Sequence, residues 1–133
     1  MTNFLTDEDL KLIESRARID SFKPDTKIIS RHNENTGIYW VRKGIVRVEL
    51  SRMYQDIVIA GIGPGEIFGE ISFLMNDHKT TSSVIAHDDV EVMFIDRETL
   101  DALLEENDGL AARFFKTAAI TLAQRLRSQT ENG

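Results

Sequence analysis

Four of the eight glycines and one of the two prolines fall within Gly61-Ile62-Gly63-Pro64-Gly65-Glu66-Ile67-Phe68-Gly69-Glu70-Ile71-Ser72-Phe73-Leu74, and no other stretch limits the fold as sharply. Glycine reaches positive φ without steric cost and lets another group approach the backbone closely. The run reads as a loop, and the apolar residues after Glu70 recur at helical spacing, so the loop leads into a short helix. The first N–H groups of such a helix have no intrahelical partner, and with the helix dipole they favour an anion. A carboxylate at Glu70 does not suit an anion alone. It suits the hydroxyls of a sugar lying beside one.

The residues on either side change period twice. Thr6 is placed to cap a helix opening on Asp7, Glu8 and Asp9, with Leu5 and Leu10 set as a hydrophobic staple. Leu10, Ile13 and Ala17 then mark one apolar face, giving an N-terminal helix over about residues 6–18. From about 22 to 95 the pattern becomes short strands: Lys27 to Ser30, Ile38 to Val41, Ile45 to Leu50, Ile57 to Ile62, Val84 to Ala86 and Val90 to Ile95. Pro24-Asp25, Asn33 to Gly37, Lys43-Gly44, the glycine loop and His87 to Asp89 punctuate them at intervals of roughly ten residues, which implies an antiparallel sandwich or barrel. Alternation in Val46, Val48, Leu50 and in Val90, Val92, Phe94 gives each strand one core face.

Beyond Ile95 the period is helical again over about 97–129. Asp96 is an N-cap for a helix carrying Leu100, Leu103 and Leu104, ending near Asn107-Asp108-Gly109. A longer helix follows from about Leu110 to Ser128, with Arg125 and Arg127 at the end that the dipole makes favourable for cations. It has two apolar lines. Leu110 and Phe114 lead into Thr117 and Thr121, while Ala111, Phe115, Ala119, Leu122 and Leu126 follow coiled-coil-like steps. One line is available to the barrel and the other to a second copy, unless both form a single broad core stripe.

Charge and composition narrow the function. With Lys+Arg 16 against Asp+Glu 22 the net charge is -6, the wrong sign for binding along DNA or RNA phosphates. There is no cysteine, which removes disulfides, thiolate nucleophiles and Cys-based zinc sites. No leader-like start and no membrane-spanning apolar run is present, so the expectation is a single cytoplasmic domain without a membrane partner. His32, His78 and His87 sit in separate turns without His-x-His spacing, and Ser72, Ser82 and Ser83 lack a nucleophile-elbow context, so neither a metal nor an enzyme is expected. Tyr39 and Trp40 read as strand residues with one ring in the core. Glu105 to Asp108 reads as a solvated helix end.

The whole order of elements resembles the cyclic nucleotide-binding domain family, the regulatory module of catabolite-activator-type proteins and of cyclic-nucleotide-dependent kinases and channels. Ile38-Tyr39-Trp40-Val41-Arg42-Lys43-Gly44 is similar to that family's "lYvvxxG" strand and turn. Gly63 to Leu74 is similar to its "GpGxxfGExaLL" signature, and Ser82-Ser83-Val84-Ile85-Ala86 to its "atVxA" strand. The resemblance implies an α+β, mainly β fold: an antiparallel jelly-roll β-barrel with an N-terminal helix, a short phosphate-cassette helix and C-terminal helices. It implies a non-catalytic regulatory sensor for a cyclic nucleotide, cAMP or cGMP, which signals through those last helices.

Carried over by position, the family's ribose-binding Glu falls on Glu70, flanked by the backbone N–H groups of Gly69 and Ile71. The Arg that pairs with the cyclic phosphate falls on Thr80, followed by Thr81. A hydrogen bond to a charged group contributes roughly 1.5–3 kcal/mol, so losing a two-point Arg contact implies binding weaker by on the order of a hundredfold. Three substitutes are open: hydroxyl donors at Thr80 and Thr81, a point charge at Lys79, or a less anionic ligand. Thr117 and Thr121 are candidates for lid contacts to the base. The alternative is a degenerate, ligand-free domain that serves as a dimerisation or protein-interaction module. No effector region follows Gln129, so the chain reads as a stand-alone module or a piece of a longer one, with a homodimer through the last helix and an unknown effector protein as expected partners.

Overall fold

The computed structural model describes residues 4–30, 36–51, 53–76 and 82–132. Helix α1 spans Asp7–Arg16 and opens on a full capping box: Thr6 Oγ1 accepts from the Asp9 N–H at 3.1 Å, and Asp9 Oδ2 accepts from the Thr6 N–H at 2.9 Å. Leu5 and Leu10 enter one apolar cluster, as a staple requires. The helix ends at Arg16, and Ala17 is already extended.

Eight strands follow among the described residues: β1 Arg18–Phe22, β2 Lys27–Ile29, β3 Gly37–Lys43, β4 Val46–Ser51, β5 Asp56–Ile62, β6 Ile67–Phe68, β7 Ser83–Ala86 and β8 Val90–Asp96. Helix α2, Glu70–Met75, interrupts them after β6, and α3, Arg97–Glu106, and α4, Asp108–Asn132, close the chain. The strands form two antiparallel sheets, ordered β1-β8-β3-β6 and β2-β7-β4-β5. This is the expected jelly roll, and no described helix is long and apolar enough to cross a membrane.

Several boundaries depart from the sequence expectation. The sequence expectation ends the first helix at about 18 and begins the strands at about 22, yet Arg18 to Phe22 already pair with β8, from Arg18↔Phe94 to Phe22↔Val90. The strand was hidden because it lies at a sheet edge, with Ile19 exposed, and shows no clean alternation. Strand β6 was hidden inside the glycine loop, where Ile67 and Phe68 pair with Trp40 and Tyr39. Nor does β8 have a single core face. Val90 and Val92 join a cluster drawn from both sheets, with Val41, Val46 and Phe68, while Met93 and Ile95 pack under the helices. The outer face of that sheet is covered, which makes both sides of the strand apolar. Tyr39 and Trp40 divide likewise: Tyr39 stacks on Phe68 at 4.7 Å, and Trp40 is buried on the other side near Phe114.

The C-terminal helices follow their caps. Asp96 Oδ1 accepts from the Thr99 N–H at 2.8 Å, and Leu100, Leu103 and Leu104 are buried. Gly109 lies inside α4 and ends nothing; Asn107 alone joins the two helices, its Nδ2 donating to the Leu103 carbonyl at 3.0 Å. Helix α4 is pinned to α1 by a two-point ion pair, Arg113 Nε to Asp9 Oδ2 at 2.6 Å and Nη2 to Oδ1 at 2.9 Å. That guanidinium holds the Asp9 carboxyl down at about 2.

Candidate functional site

The glycine-rich run divides into two parts with different work. Gly63, Pro64, Gly65 and Glu66 make a tight turn in which the Gly63 carbonyl accepts from the Glu66 N–H at 3.1 Å. Proline followed by a glycine at φ 86° has the dihedral pattern of a type II turn. The turn is tied to β3, the Gly65 N–H donating to the Val41 carbonyl at 2.9 Å and the Val41 N–H to the Glu66 carbonyl at 3.0 Å. These glycines therefore aim β6, and neither Gly63 nor Gly65 lines the cavity that follows.

Gly69 does the second part. At φ 86° it turns the chain from β6 into α2 without a side-chain cap, and Glu70 becomes the first residue of that helix. Glu70 is 3% exposed, although it is a carboxylate. Gly69, Glu70, Ile71 and Ser72 form one wall of a cavity of about 330 Å³, within the usual range of about 300–1,000 Å³ for small-molecule sites. Apolar side chains of the β2-β7-β4-β5 sheet, such as Ile29, Val48, Leu50 and Val84, make the opposite wall. Leu122, Arg125, Leu126 and Gln129 of α4 complete it.

Buried carboxylates need partners, and Glu70 finds one on the last helix. Arg125 Nη1 donates to Glu70 Oε1 at 2.5 Å, and Arg125 Nη2 donates to the Ile67 carbonyl. Sequence reasoning placed Arg125 at a helix end to answer the dipole, but α4 continues to Asn132 and the guanidinium points into the fold. A usable signal was present: Arg125 stands three residues after Leu122, one before Leu126 and four before Gln129, which puts all four on one helical face. The coiled-coil-like line is thereby split, its last two leucines lining the cavity rather than forming a continuous seam with Phe115.

A second link joins α2 to α3. Arg97 Nη2 donates to the Ser72 and Phe73 carbonyls, both at 2.9 Å, and its guanidinium lies 4.6 Å over the Phe73 ring. Phe73 in turn meets Phe114 of α4 edge-on at 5.7 Å. The short helix that carries Glu70 is thus clasped from the first turn of α3 and from two positions on α4.

Of the other candidate residues, Lys79, Thr80 and Thr81 lie outside the described residues, as do His32 and His78. Thr121 borders a smaller cavity of about 170 Å³ next to the first, sharing Arg125, Ile59 and Ala60 with it. Thr117 faces elsewhere: its hydroxyl accepts from the Phe4 N–H at 2.9 Å and donates to the Arg113 carbonyl at 2.8 Å, tying the N-terminal segment to α4. Among the described residues no group of three or more His, Asp or Glu side chains is placed to hold a metal ion.

Comparison with known proteins agrees with this fold. Residues 19–107 match the family model described as the cyclic nucleotide-binding domain. Cyclic GMP-binding protein C of Dictyostelium discoideum is 30% identical over 130 residues, which cover 92% of this chain and 5% of that protein. Among solved structures, the catabolite activator protein of Thermus thermophilus is 28% identical with a TM-score of 0.79, covering 96% of this chain and 58% of that one. A c-di-GMP-responsive global regulator of Xanthomonas campestris shares the fold at a TM-score of 0.89 and 17% identity, over 95% of this chain and 62% of that one. This chain therefore spans only a small part of the first relative and little more than half of the two solved chains.

Proposed function

The chain belongs to the cyclic nucleotide-binding domain family, and from that membership we propose that it is a non-catalytic sensor module that receives a cyclic nucleotide at Glu70 and reports it through its C-terminal helices. The observation that carries this proposal is the Glu70–Arg125 pair. It joins the family's ribose-binding position to the last helix across the cavity wall. A ribose hydroxyl seeking Glu70 must share the carboxylate with Arg125, so occupancy and the seat of α4 are linked. The link is a population shift, which requires a ligand with different affinities for the two helix arrangements. Affinity is modest, because Thr80 stands where the family carries its phosphate-binding Arg.

Calorimetric titration with cyclic GMP and cyclic AMP tests the proposal, run on the wild-type chain and on Thr80→Arg. The expected result is weak binding by the wild type and binding tighter by on the order of a hundredfold in Thr80→Arg. Saturating ligand, at about a hundred times its dissociation constant, should add about 2.7 kcal/mol of stability. Silence from the wild type with millimolar nucleotide, and heat only from Thr80→Arg, would establish a pocket that has kept its shape and lost its ligand.

One observation favours a second role, as an interaction module. Phe115 and Leu126 on α4 are 46% and 66% exposed, large apolar groups on a helix whose other side is packed. A second copy or an effector protein seated there would make unfolding depend on its concentration.

A further inference from the structure

Among the described residues that line the two adjoining cavities, Arg125 is the one cation. The segment between Glu70 and Arg97 carries a single Lys, Lys79, and no Arg. An anionic ligand at Glu70 therefore meets one ion pair and an otherwise largely apolar wall. We propose that Arg125 is the phosphate partner of this pocket, supplied from α4 in place of the cassette Arg missing at Thr80. The proposal rests on the sensor function above and names the group that makes it work.

The chemistry of the ligand class and the geometry of the pair agree on this assignment. In a 3',5'-cyclic nucleotide the phosphate ring is fused to the ribose through the carbon next to the one bearing the 2'-hydroxyl. A long side-chain donor beside the carboxylate that accepts that hydroxyl is therefore within reach of the phosphate oxygens. Arg125 is that neighbour, with Nη1 2.5 Å from Glu70 Oε1. It engages one carboxylate oxygen, which leaves Oε2 for the hydroxyl. The guanidinium has five N–H donors in a fixed fork, of which two are directed at Glu70 and Ile67, so three remain for phosphate oxygens. The side chain is 20% exposed, so it is largely shielded from water, where a charge-assisted hydrogen bond gains strength. A phosphate held this way is held by the reporting helix itself. A cassette Arg on the barrel would lack that direct connection.

Calorimetry with four probes, cyclic GMP, guanosine, cyclic AMP and adenosine, isolates the phosphate contribution as the affinity ratio between each cyclic nucleotide and its nucleoside. The wild type should favour the cyclic nucleotide, and Arg125→Leu should lower that ratio by on the order of tenfold to a hundredfold while changing nucleoside affinity far less. Arg125→Lys, which keeps the charge without the fork, should recover part of it. Arg125→Gln, which keeps a donor toward Glu70 and Ile67, should lose the ratio as Arg125→Leu does, so the test stands if the leucine variant fails to fold. An unchanged ratio, or equal changes for nucleotide and nucleoside, would overturn the assignment and leave the sensor function standing. Failure of the wild type to bind either cyclic nucleotide would overturn both.

Discussion

The two ends of α4 are fastened in different ways. At its start Arg113 grips both oxygens of Asp9, Thr117 holds the backbone of Phe4, and Phe114 and Ala118 are completely buried beneath the sheet. Toward its far end the polar hold is Arg125, which reaches one oxygen of Glu70 and the carbonyl of Ile67 at the edge of a cavity, while Leu126 is 66% exposed. An apolar anchor can be released only by opening a void or exposing the side chain to water, whereas a polar contact at a cavity wall can be exchanged for another of similar strength. The contrast assigns the helix a fixed root and an exchangeable tip. Under the proposed sensor function, a ligand that meets the tip shifts it without unfolding the root.

The largest effect expected from this contrast is at the root. Phe114→Ala removes a ring that packs on Phe73 and lies near Trp40, and should cost about 3–5 kcal/mol in urea unfolding. A loss under about 1 kcal/mol would mean that the root is not anchored by its core. The ion pair beside it should show in the pH dependence. Arg113 holds the Asp9 carboxyl at about 2, below the ordinary 3.8. As pH falls the unfolded chain takes up that proton first, so the contribution is complete above about pH 4 and fades as the pH drops toward about 2. Its size is on the order of 2 kcal/mol. Wild type should therefore lose that much more stability than Asp9→Asn between pH 5 and pH 2.5, and parallel curves would place the strength of the root elsewhere.

The helix caps and the α3 spacing were legible in the sequence, because those signals are local, whereas the root's own contacts, Arg113 to Asp9 and Thr117 to Phe4, join residues 104 and 113 apart and were not. Thr6 with Asp9, Asp96 with Thr99, and the Leu100–Leu103–Leu104 spacing all lie within one or two helical turns, and each formed as its spacing required. Glu70 was also reachable, since Gly69 and the apolar steps after it mark a helix start. The tip was no more legible. The partners Glu70 and Arg125 are 55 residues apart, and nothing near either one names the other. Strand β6 escaped for a related reason: two residues cannot display a period, and only the facing Tyr39 and Trp40 make Ile67 and Phe68 a strand. The doubly apolar β8 could be interpreted only once helices were known to cover the outer face of its sheet.

The smallest expected effect is at the tip and bears most directly on whether it is free. Leu126 borders the cavity but stays largely in solvent, so Leu126→Ala removes little buried surface. Its cost in urea unfolding should stay within about 0.5 kcal/mol and should not vary with protein concentration. A second copy seated on this face would bury Leu126 in an interface. Truncation would then cost on the order of 2 kcal/mol, and the unfolding midpoint would rise with protein concentration, since association stabilises the folded state by mass action. That outcome would make the tip a second root, held by a neighbour instead of by Arg125, and a nucleotide would have to break an interface before it could move the helix. A small, concentration-independent change leaves the Glu70–Arg125 contact as the hold on the tip, and so as the contact through which cavity occupancy reaches α4.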